Sequence, residues 1–369
     1  MLKKQPLRLA ENRVWRMYTG GWLLERFLGK PQPADGHFPE DWIGSTVLAR
    51  NPGHDRAGTE GLSYVTMPGG ERYTLKSLVE QAPAALLGEE HYRKYGPNPG
   101  ILIKLLDAAM RLPIQVHPDK SLAQKFFNSP FGKTEAWLVL ATREINSTPP
   151  YILFGFREGV SWEQFSTAVR ENNSPALEQC LHRLPVQAGD VYLIEAGIPH
   201  AIGPGNLILE IQEPTDITIR AEKNVGDIVM IDEIAYQGLT LEQSLECYRF
   251  EPLTAGETLR KYKLKPCLRK EQPGQGREQL LISYTDTPCF ALRYLQVDSY
   301  WEVEGHKTFH FMIVIRGKGR LVAEKAMPDS STTVIQPGDY FFIPARVPYR
   351  IENLHGEPVE IITCWPPQS

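Results

Sequence analysis

The clearest guide to the architecture of this chain is a segment that it contains twice. The first copy is Val186-Gln-Ala-Gly189-Asp190-Val-Tyr-Leu-Ile-Glu-Ala-Gly-Ile-Pro199-His200-Ala-Ile202, and the second is Ile335-Gln-Pro-Gly338-Asp339-Tyr-Phe-Phe-Ile-Pro-Ala-Arg-Val-Pro348-Tyr349-Arg-Ile351. The copies align without a gap, so that both Gly-Asp pairs and both later prolines coincide. Each copy contains a short apolar run between two turn signals, which is typical of a β-strand. The repeat therefore predicts a mainly β chain built from two copies of one unit.

The copies differ at the position where chemistry is expected. His200 of the first copy, a possible metal ligand, is replaced by Tyr349 in the second. His306 and His310 lie four apart in the second half and would share one face of a strand, but Tyr349 occupies the place of a third ligand. We therefore expect a metal site in the first unit and an incomplete one in the second.

Three further residues of the first unit could join His200 around a metal ion. Gln115 and His117 are two apart in a predicted strand, so their side chains point to the same face. Glu135 opens the next apolar run and offers a carboxylate at the start of a neighbouring strand. Imidazole and carboxylate ligands suit zinc, although this donor set also permits iron, manganese or cobalt.

The composition limits the class of protein. The chain has 369 residues, 42% hydrophobic and 23% charged, which favours a globular protein of two or more domains. A net charge of −4 provides no general attraction for nucleic acid or acidic membranes, and we expect neither partner. The five cysteines contain no CxxC pair, and no leader-like apolar segment is present, so a reducing cytoplasm is the expected location.

Helix signals interrupt the strands of the first half. Helical insertions are predicted at about 74–98, 121–130 and 161–183, with Thr74, Ser121 and Ser161 as N-caps. Pro175 is expected to divide the third insertion into two helices. The resulting division is a catalytic domain at 1–221, a connector at 222–250 with one short helix, and a second domain at 251–369. Residues 266–277 are polar and are expected to form a loop.

Motifs along residues 10–220 resemble those of a known family. They are Val14-Trp15, Gly20-Gly21, Glu40-Asp-Trp42-Ile-Gly44, Ile101-Leu-Ile-Lys104-Leu-Leu-Asp107-Ala, Gln115-Val-His117-Pro-Asp-Lys120, Gly132-Lys133-Thr-Glu135-Ala-Trp137, Pro199-His200-Ala-Ile-Gly203, Glu210-Ile-Gln212 and Thr215-Asp216-Ile-Thr-Ile-Arg220. In this order they resemble the type I phosphomannose isomerases, especially the shorter bacterial branch, within the cupin superfamily. The resemblance implies two cupin-type (jelly-roll) β-barrels with a helical insertion in the N-terminal half.

The resemblance also implies an activity and a set of site residues. The family interconverts mannose 6-phosphate and fructose 6-phosphate through a cis-enediol(ate), with one zinc ion per chain. The implied zinc ligands are Gln115, His117, Glu135 and His200, the implied catalytic residues are Arg220, Lys133, Glu210 and Asp216, and the implied pocket residues are Glu40, Trp42 and Lys104. The expected partner is a small sugar phosphate, and the expected assembly is a monomer or a homodimer.

Two other readings are compatible with the residues. One is a non-catalytic metal-binding cupin that binds a sugar or a sugar phosphate. The other is an isomerase of a different sugar. Retention of all four ligand candidates together with Lys133 and Arg220 favours the enzyme over the binding protein.

Overall fold

The computed structural model describes residues 5–51, 54, 58–67, 70–323, 332–354 and 356–369. Strands outnumber helices, which confirms the prediction of a mainly β chain. No helix in these ranges is both long enough and apolar enough to cross a membrane.

The strands of the first 220 residues are β1 Leu7–Leu9, β2 Arg13–Val14, β3 Glu40–Ile43, β4 Tyr64–Thr66, β5 Arg72–Thr74, β6 Leu102–Ala108, β7 Gln115–Val116, β8 Glu135–Thr142, β9 Tyr151–Phe156, β10 Leu181–Pro185, β11 Val191–Ile194, β12 His200–Ile202, β13 Asn206–Gln212 and β14 Ile219–Arg220. The later strands are β15 Asn224–Val225, β16 Ile228–Val229, β17 Lys263–Leu264, β18 Cys267–Gln272, β19 Gly276–Ile282, β20 Ala291–Val297, β21 Tyr300–Val303, β22 His310–Arg316, β23 Gly319–Ala323, β24 Thr332–Ile335, β25 Tyr340–Ile343, β26 Tyr349–Asn353 and β27 Val359–Trp365. The helices are α1 Trp22–Phe27, α2 Leu75–Gln81, α3 Pro83–Leu87, α4 Glu89–Tyr95, α5 Lys120–Phe127, α6 Trp162–Arg170, α7 Ser174–Cys180, α8 Asp232–Ala235, α9 Leu241–Glu246 and α10 Ala255–Tyr262.

A seven-stranded sheet lies at the centre, in the order β17-β11-β8-β13-β6-β3-β2. Its long strands β6 and β13 are buried along their whole length, so both faces of the sheet are covered. Alternation along β6 divides the side chains: Ile103 and Leu105 pack toward one neighbouring sheet, and Leu106 and Ala108 pack toward the other. Side chains at even-numbered positions of β6 and β13 point to the second of these faces, that of Leu106 and Ala108. Lys104 and Glu210 occupy even-numbered positions, so the polar site residues lie on this face.

The neighbouring sheets complete a stack of layers. Ile103 and Leu105 belong to the same apolar cluster as Phe311 and Phe342 of the nine-stranded sheet, ordered β18-β19-β20-β27-β22-β25-β1-β4-β5. The other face of the nine-stranded sheet packs on the four-stranded sheet β21-β26-β23-β24. On the far side, the five-stranded sheet β10-β9-β12-β7-β14 lies between the central sheet and helices α6 and α7.

The repeat in the sequence is also a repeat in hydrogen-bond register. Glu135 of β8 pairs with Ile194 of β11, and His310 of β22 pairs with Ile343 of β25. Ile194 and Ile343 are matching positions of the repeat, so His310 stands where the first unit has Glu135. The second unit thus differs from the first at two of the four proposed ligand positions.

The sheets of the described residues are open in their strand order. The mainly β cupin-like architecture agrees with the sequence prediction, whereas two closed barrels are not confirmed. The N-terminal strand β1 pairs with β25, so the nine-stranded sheet contains strands from both ends of the chain.

Two local predictions need correction. Helix α5 is capped by Asp119, whose carboxylate accepts a hydrogen bond from the Leu122 N–H at 2.9 Å, and not by Ser121, which lies inside the helix. The segment 266–277 contains strand β18 and the turn into β19 instead of a loop. Its polar sequence arises because β18 is an exposed edge strand.

Candidate metal and active site

Three buried side chains from three elements meet at one point. Glu135 begins β8, His200 begins β12, and His117 follows β7. The Nε2 atoms of His117 and His200 lie 3.3 Å from Glu135 Oε2 and 3.3 Å from Glu135 Oε1, respectively. Among the described residues, these three form the one group of His, Cys, Asp and Glu side chains close enough to hold a metal ion.

Both histidines are oriented from behind by main-chain carbonyls. His117 Nδ1 donates to the Ile217 carbonyl at 2.9 Å, and His200 Nδ1 donates to the Ile198 carbonyl at 2.8 Å. In a neutral imidazole this leaves a lone pair on each Nε2, the atom directed at Glu135. Burial, together with the charge of Lys133, lowers the pKa of His117 to about 3, and burial lowers the pKa of His200, so both rings are held neutral.

Lys133 supplies the positive charge at this point. Its Nζ lies 2.6 Å from Glu135 Oε2 and donates to His117 Nε2 at 2.9 Å. Burial alone would raise the pKa of Glu135, but the charge of Lys133 holds it well below its usual value. The other carboxylate oxygen, Glu135 Oε1, is buried without a hydrogen-bond partner.

This donor set fits a divalent metal ion. Two imidazole lone pairs, an ionised carboxylate with an unpartnered oxygen and the nearby amide of Gln115 converge on one point. The Gln115 side-chain amide lies 3.3 Å from His200 Nε2, and rotation of the amide would present its oxygen to an ion instead. Carbonyl contacts behind each histidine are the usual support for ligating imidazoles.

A cavity leads to this cluster, with about 690 Å³ of empty space when its open mouth is included. Gln115 and Lys133 line it and also contact the cluster. Five more of the predicted residues line the same cavity: Glu40, Lys104, Glu210, Asp216 and Arg220. Trp42 lies next to the wall, where its Nε1 donates to Glu40 at 2.6 Å and its ring receives Lys104 Nζ at 4.8 Å. All eleven predicted site residues are therefore gathered in or beside one cavity.

Glu210 and Lys104 face each other across neighbouring strands of the central sheet. They form a cross-strand pair of β13 and β6, with Lys104 Nζ 3.4 Å from Glu210 Oε1. Trp137 Nε1 donates to the other oxygen at 3.1 Å. Burial and the charge of Glu135 raise the pKa of Glu210. Burial alone would lower the pKa of Lys104, but the charges of Glu210 and Glu40 raise it.

Asp216 is held in the opposite protonation state from the one that burial favours. Burial alone would raise its pKa, but Arg16 and Lys104 bring it to about 2. Its Oδ2 accepts the Arg50 backbone N–H at 3.0 Å, and its Oδ1 accepts from Arg16 at 3.4 Å. Asp216 is thus a carboxylate throughout the neutral range.

Arg220 lies at the cavity wall with main-chain partners. It donates to the carbonyls of Ile234 at 3.0 Å and Thr218 at 3.4 Å. No carboxylate in the described ranges forms an ion pair with it, and burial lowers its pKa to about 10. Its register partner on β7 is Gln115, which places this cation beside the metal-binding candidate.

Several cavity residues were not found from the sequence, chief among them Arg16, Tyr18, Asn51 and Gln237. Gln237 comes from the predicted connector and donates to the Asp216 carbonyl at 3.2 Å. Arg16 and Tyr18 contact Glu40, and Asn51 contacts Arg16. Arg16 and Tyr18 follow Val14-Trp15, but the only signal there was this short motif, which does not specify contacts with distant carboxylates.

Two family models match the chain. Residues 57–134 match the model of the phosphomannose isomerase type I catalytic domain, which includes Lys104, Gln115, His117 and Lys133. Residues 298–365 match the model of the cupin domain. The cupin match contains the second copy of the repeat, at residues 335–351.

Relatives and solved structures lead to the same group. A mannose-6-phosphate isomerase of Streptococcus mutans is 26% identical over 285 residues, covering 76% of this chain and 80% of the relative. The ManA mannose-6-phosphate isomerase of Bacillus subtilis is 25% identical, covering 70% of this chain and 74% of the relative. The crystal structure of a mannose 6-phosphate isomerase from Bacillus subtilis superposes with a TM-score of 0.72 at 22% identity, covering 97% of this chain and 99% of that chain. The family models and the relatives confirm the resemblance of this chain to the type I phosphomannose isomerases.

Proposed function

We propose that this protein is a zinc-dependent aldose–ketose isomerase that interconverts mannose 6-phosphate and fructose 6-phosphate. The observation that carries the proposal is the convergence of His117, Glu135 and His200 beside a cavity whose wall contains the Lys104–Glu210 pair. A binding protein would need a ligand pocket, but it would have no need for a carboxylate of raised pKa beside a metal site.

The reaction moves a proton between C1 and C2 of the opened sugar through a cis-enediol(ate). We assign the proton transfer to Glu210, which takes the proton from one carbon and returns it to the other, because its raised pKa suits an acid–base group. Lys104, 3.4 Å away, stabilises the carboxylate form and holds its position.

Negative charge develops on the sugar oxygens during this transfer, and the cavity offers positive charge to receive it. A zinc ion held by Gln115, His117, Glu135 and His200 would supply Lewis-acid stabilisation of that charge. Lys133 and Arg220 are cations beside the same point, and Asp216 lines the same cavity. Lys133 donates hydrogen bonds to His117 Nε2 and Glu135 Oε2, whose lone pairs would bind a metal ion. We therefore expect the Lys133 ammonium to move when the metal binds.

The finer architecture is part of the proposal. We assign residues 1–221 to a catalytic cupin unit, 222–250 to a connector and 251–369 to a second cupin unit with an incomplete metal site. The cupin match at 298–365 and the repeated register of β8–β11 and β22–β25 support this division and a pair of cupin-type barrels.

The test is an assay of the purified protein on mannose 6-phosphate, coupled to detection of fructose 6-phosphate, with zinc measured by elemental analysis. We expect activity as isolated, its loss after chelation and its return with zinc. His117→Ala should lose metal and turnover together, while His182→Ala, on β10 away from the cavity, should keep both. Turnover by metal-free protein would contradict the mechanism, and inactivity with zinc bound would leave a sugar-binding protein or an isomerase of another sugar.

A further inference from the structure

Arg16 is held in place by hydrogen bonds of its backbone and by packing of its side chain. Its backbone N–H donates to the His37 carbonyl at 2.8 Å, and His37 Nδ1 donates back to the Arg16 carbonyl at 2.9 Å. The side chain, 11% exposed, crosses the face of Trp42 with its guanidinium carbon 5.0 Å from the ring centre. The guanidinium therefore enters the cavity wall from a rigid base.

The guanidinium joins three polar side chains of that wall. Its Nε lies 3.0 Å from Glu40 Oε1, one terminal nitrogen donates to Asn51 Oδ1 at 3.0 Å, and the other donates to Asp216 Oδ1 at 3.4 Å. Glu40 and Asp216 come from distant parts of the chain. A planar fork of donors is suited to holding two carboxylates at a fixed separation.

Lys104 shares these carboxylates with Arg16. Its Nζ is 3.4 Å from Glu210 and 3.9 Å from Asp216, while Glu40 acts on it through its charge. The Arg16 guanidinium balances the charges of Glu40 and Asp216. The Lys104 ammonium is therefore not needed to neutralise them and can face Glu210. Without Arg16, two buried carboxylates would draw Lys104 toward themselves.

We propose that Arg16 is a positioning residue: by holding Glu40 and Asp216 it leaves Lys104 directed at Glu210. This inference rests on the proposed function, because Glu210 is the proton-transferring group there. The other groups facing the two carboxylates are the Tyr18 hydroxyl and the Trp42 N–H on Glu40, and the Arg50 N–H and the charges of Lys133 and Arg220 on Asp216. None of them replaces the positive charge that Arg16 places between the two.

The test compares Arg16→Gln and Arg16→Lys with the wild type over a range of pH. For Arg16→Gln we expect kcat to fall on the order of a hundredfold with a smaller change in KM, because a displaced Lys104 misplaces the reacting group. The acidic limb of kcat/KM should move up by about one to three pH units, since the cavity carboxyls lose a neighbouring cation. Arg16→Lys, which keeps the charge, should hold the limb near its wild-type position.

Arg143→Gln is the matched control, because Arg143 forms an ion pair with Asp35 away from the cavity. An unmoved acidic limb in Arg16→Gln, or an equal shift in Arg16→Lys, would overturn the inference. A loss of activity that is uniform over pH would mean that Arg16 is only structural.

A second measurement does not depend on turnover. Glu40 and Asp216 have lowered pKa values in the folded protein, so their stabilising contribution is present at neutral pH and is lost as pH falls through the acidic range. The difference in Tm between wild type and Arg16→Gln should therefore be largest near pH 7 and narrow below about pH 5. A constant difference would overturn the ionic role of Arg16. Absence of isomerase activity in the zinc-loaded wild type would instead count against the proposed function.

Discussion

Glu210 differs from the other carboxylates around the cavity in the direction in which its pKa is shifted. Glu40, Glu135 and Asp216 are each held below their usual values by neighbouring cations. Glu210 is raised, because burial and the charge of Glu135 outweigh the help of Lys104. A carboxylate with a raised pKa is a stronger base and can both accept and return a proton, which is what an isomerase requires of its base.

Replacement of this carboxylate tests its assignment at the scale of one residue. We expect Glu210→Gln to keep zinc and lose about 10²–10⁴-fold in kcat, because the amide cannot accept the proton. In the wild type, activity should fall as pH drops through the raised pKa of Glu210, so the acidic limb should lie above that of an ordinary glutamate. Glu251→Gln, at an exposed ion pair with Lys261, serves as the control. Near-normal kcat in Glu210→Gln would require another base.

Residues that act within one motif were predictable, and residues that act across the chain were not. Gln115 and His117 could be paired from their spacing, and His200 from its place in the repeat. The partners of Arg16 lie far away along the chain, with Asp216 at a separation of 200 positions. No local sequence pattern encodes such a contact, so the role of Arg16 could be inferred only from the structure.

Helix α5 connects the two halves of the proposed metal-binding motif, because it follows His117 and ends shortly before Lys133. Its N-cap, Asp119, accepts hydrogen bonds from the Leu122 N–H at 2.9 Å and the Ser121 hydroxyl at 2.7 Å. We expect Asp119→Ala to lower the free energy of unfolding by about 1 kcal/mol, the usual cost of a lost cap, as measured by urea unfolding. Ser121→Ala should cost less. An equal or larger loss for Ser121→Ala would restore the sequence-based assignment of the cap.

Element types followed from periodicity where one face of the element is buried. The cap at Ser161 and the break at Pro175 were predicted correctly, since α6 begins with a capping box and α7 has proline in its first turn. Strand β18 was missed because it is exposed along most of its length, so its residues do not alternate between polar and apolar. An edge strand of this kind owes its conformation to its neighbour β19 and not to its own pattern.

At the scale of the whole molecule, one apolar cluster crosses from the central sheet to the nine-stranded sheet and includes Leu9, Leu105 and Phe311. The repeat predicted two units, but the sequence did not show that they pack through this shared layer. Which face of each strand meets which neighbour depends on contacts between distant residues.

We therefore expect a single cooperative unfolding transition in calorimetry, with equal calorimetric and van't Hoff enthalpies, despite the two units. Leu9→Ala, at a buried position of β1, should lower the Tm of the whole transition, at a cost of about 2–5 kcal/mol. Leu268→Ala, on an exposed side chain, is the control and should leave Tm nearly unchanged. Two resolved transitions, only one of them moved by Leu9→Ala, would show that the units unfold independently.

The pairing of β1 with β25 also has a consequence for biosynthesis. Leu9 leaves the ribosome long before its register partner Tyr340. At ordinary rates of translation, on the order of tens of seconds separate the two. Throughout that time Leu7 and Leu9 are without the strand that finally pairs with theirs, so the nine-stranded sheet cannot be completed until β25 and β27 have been synthesised.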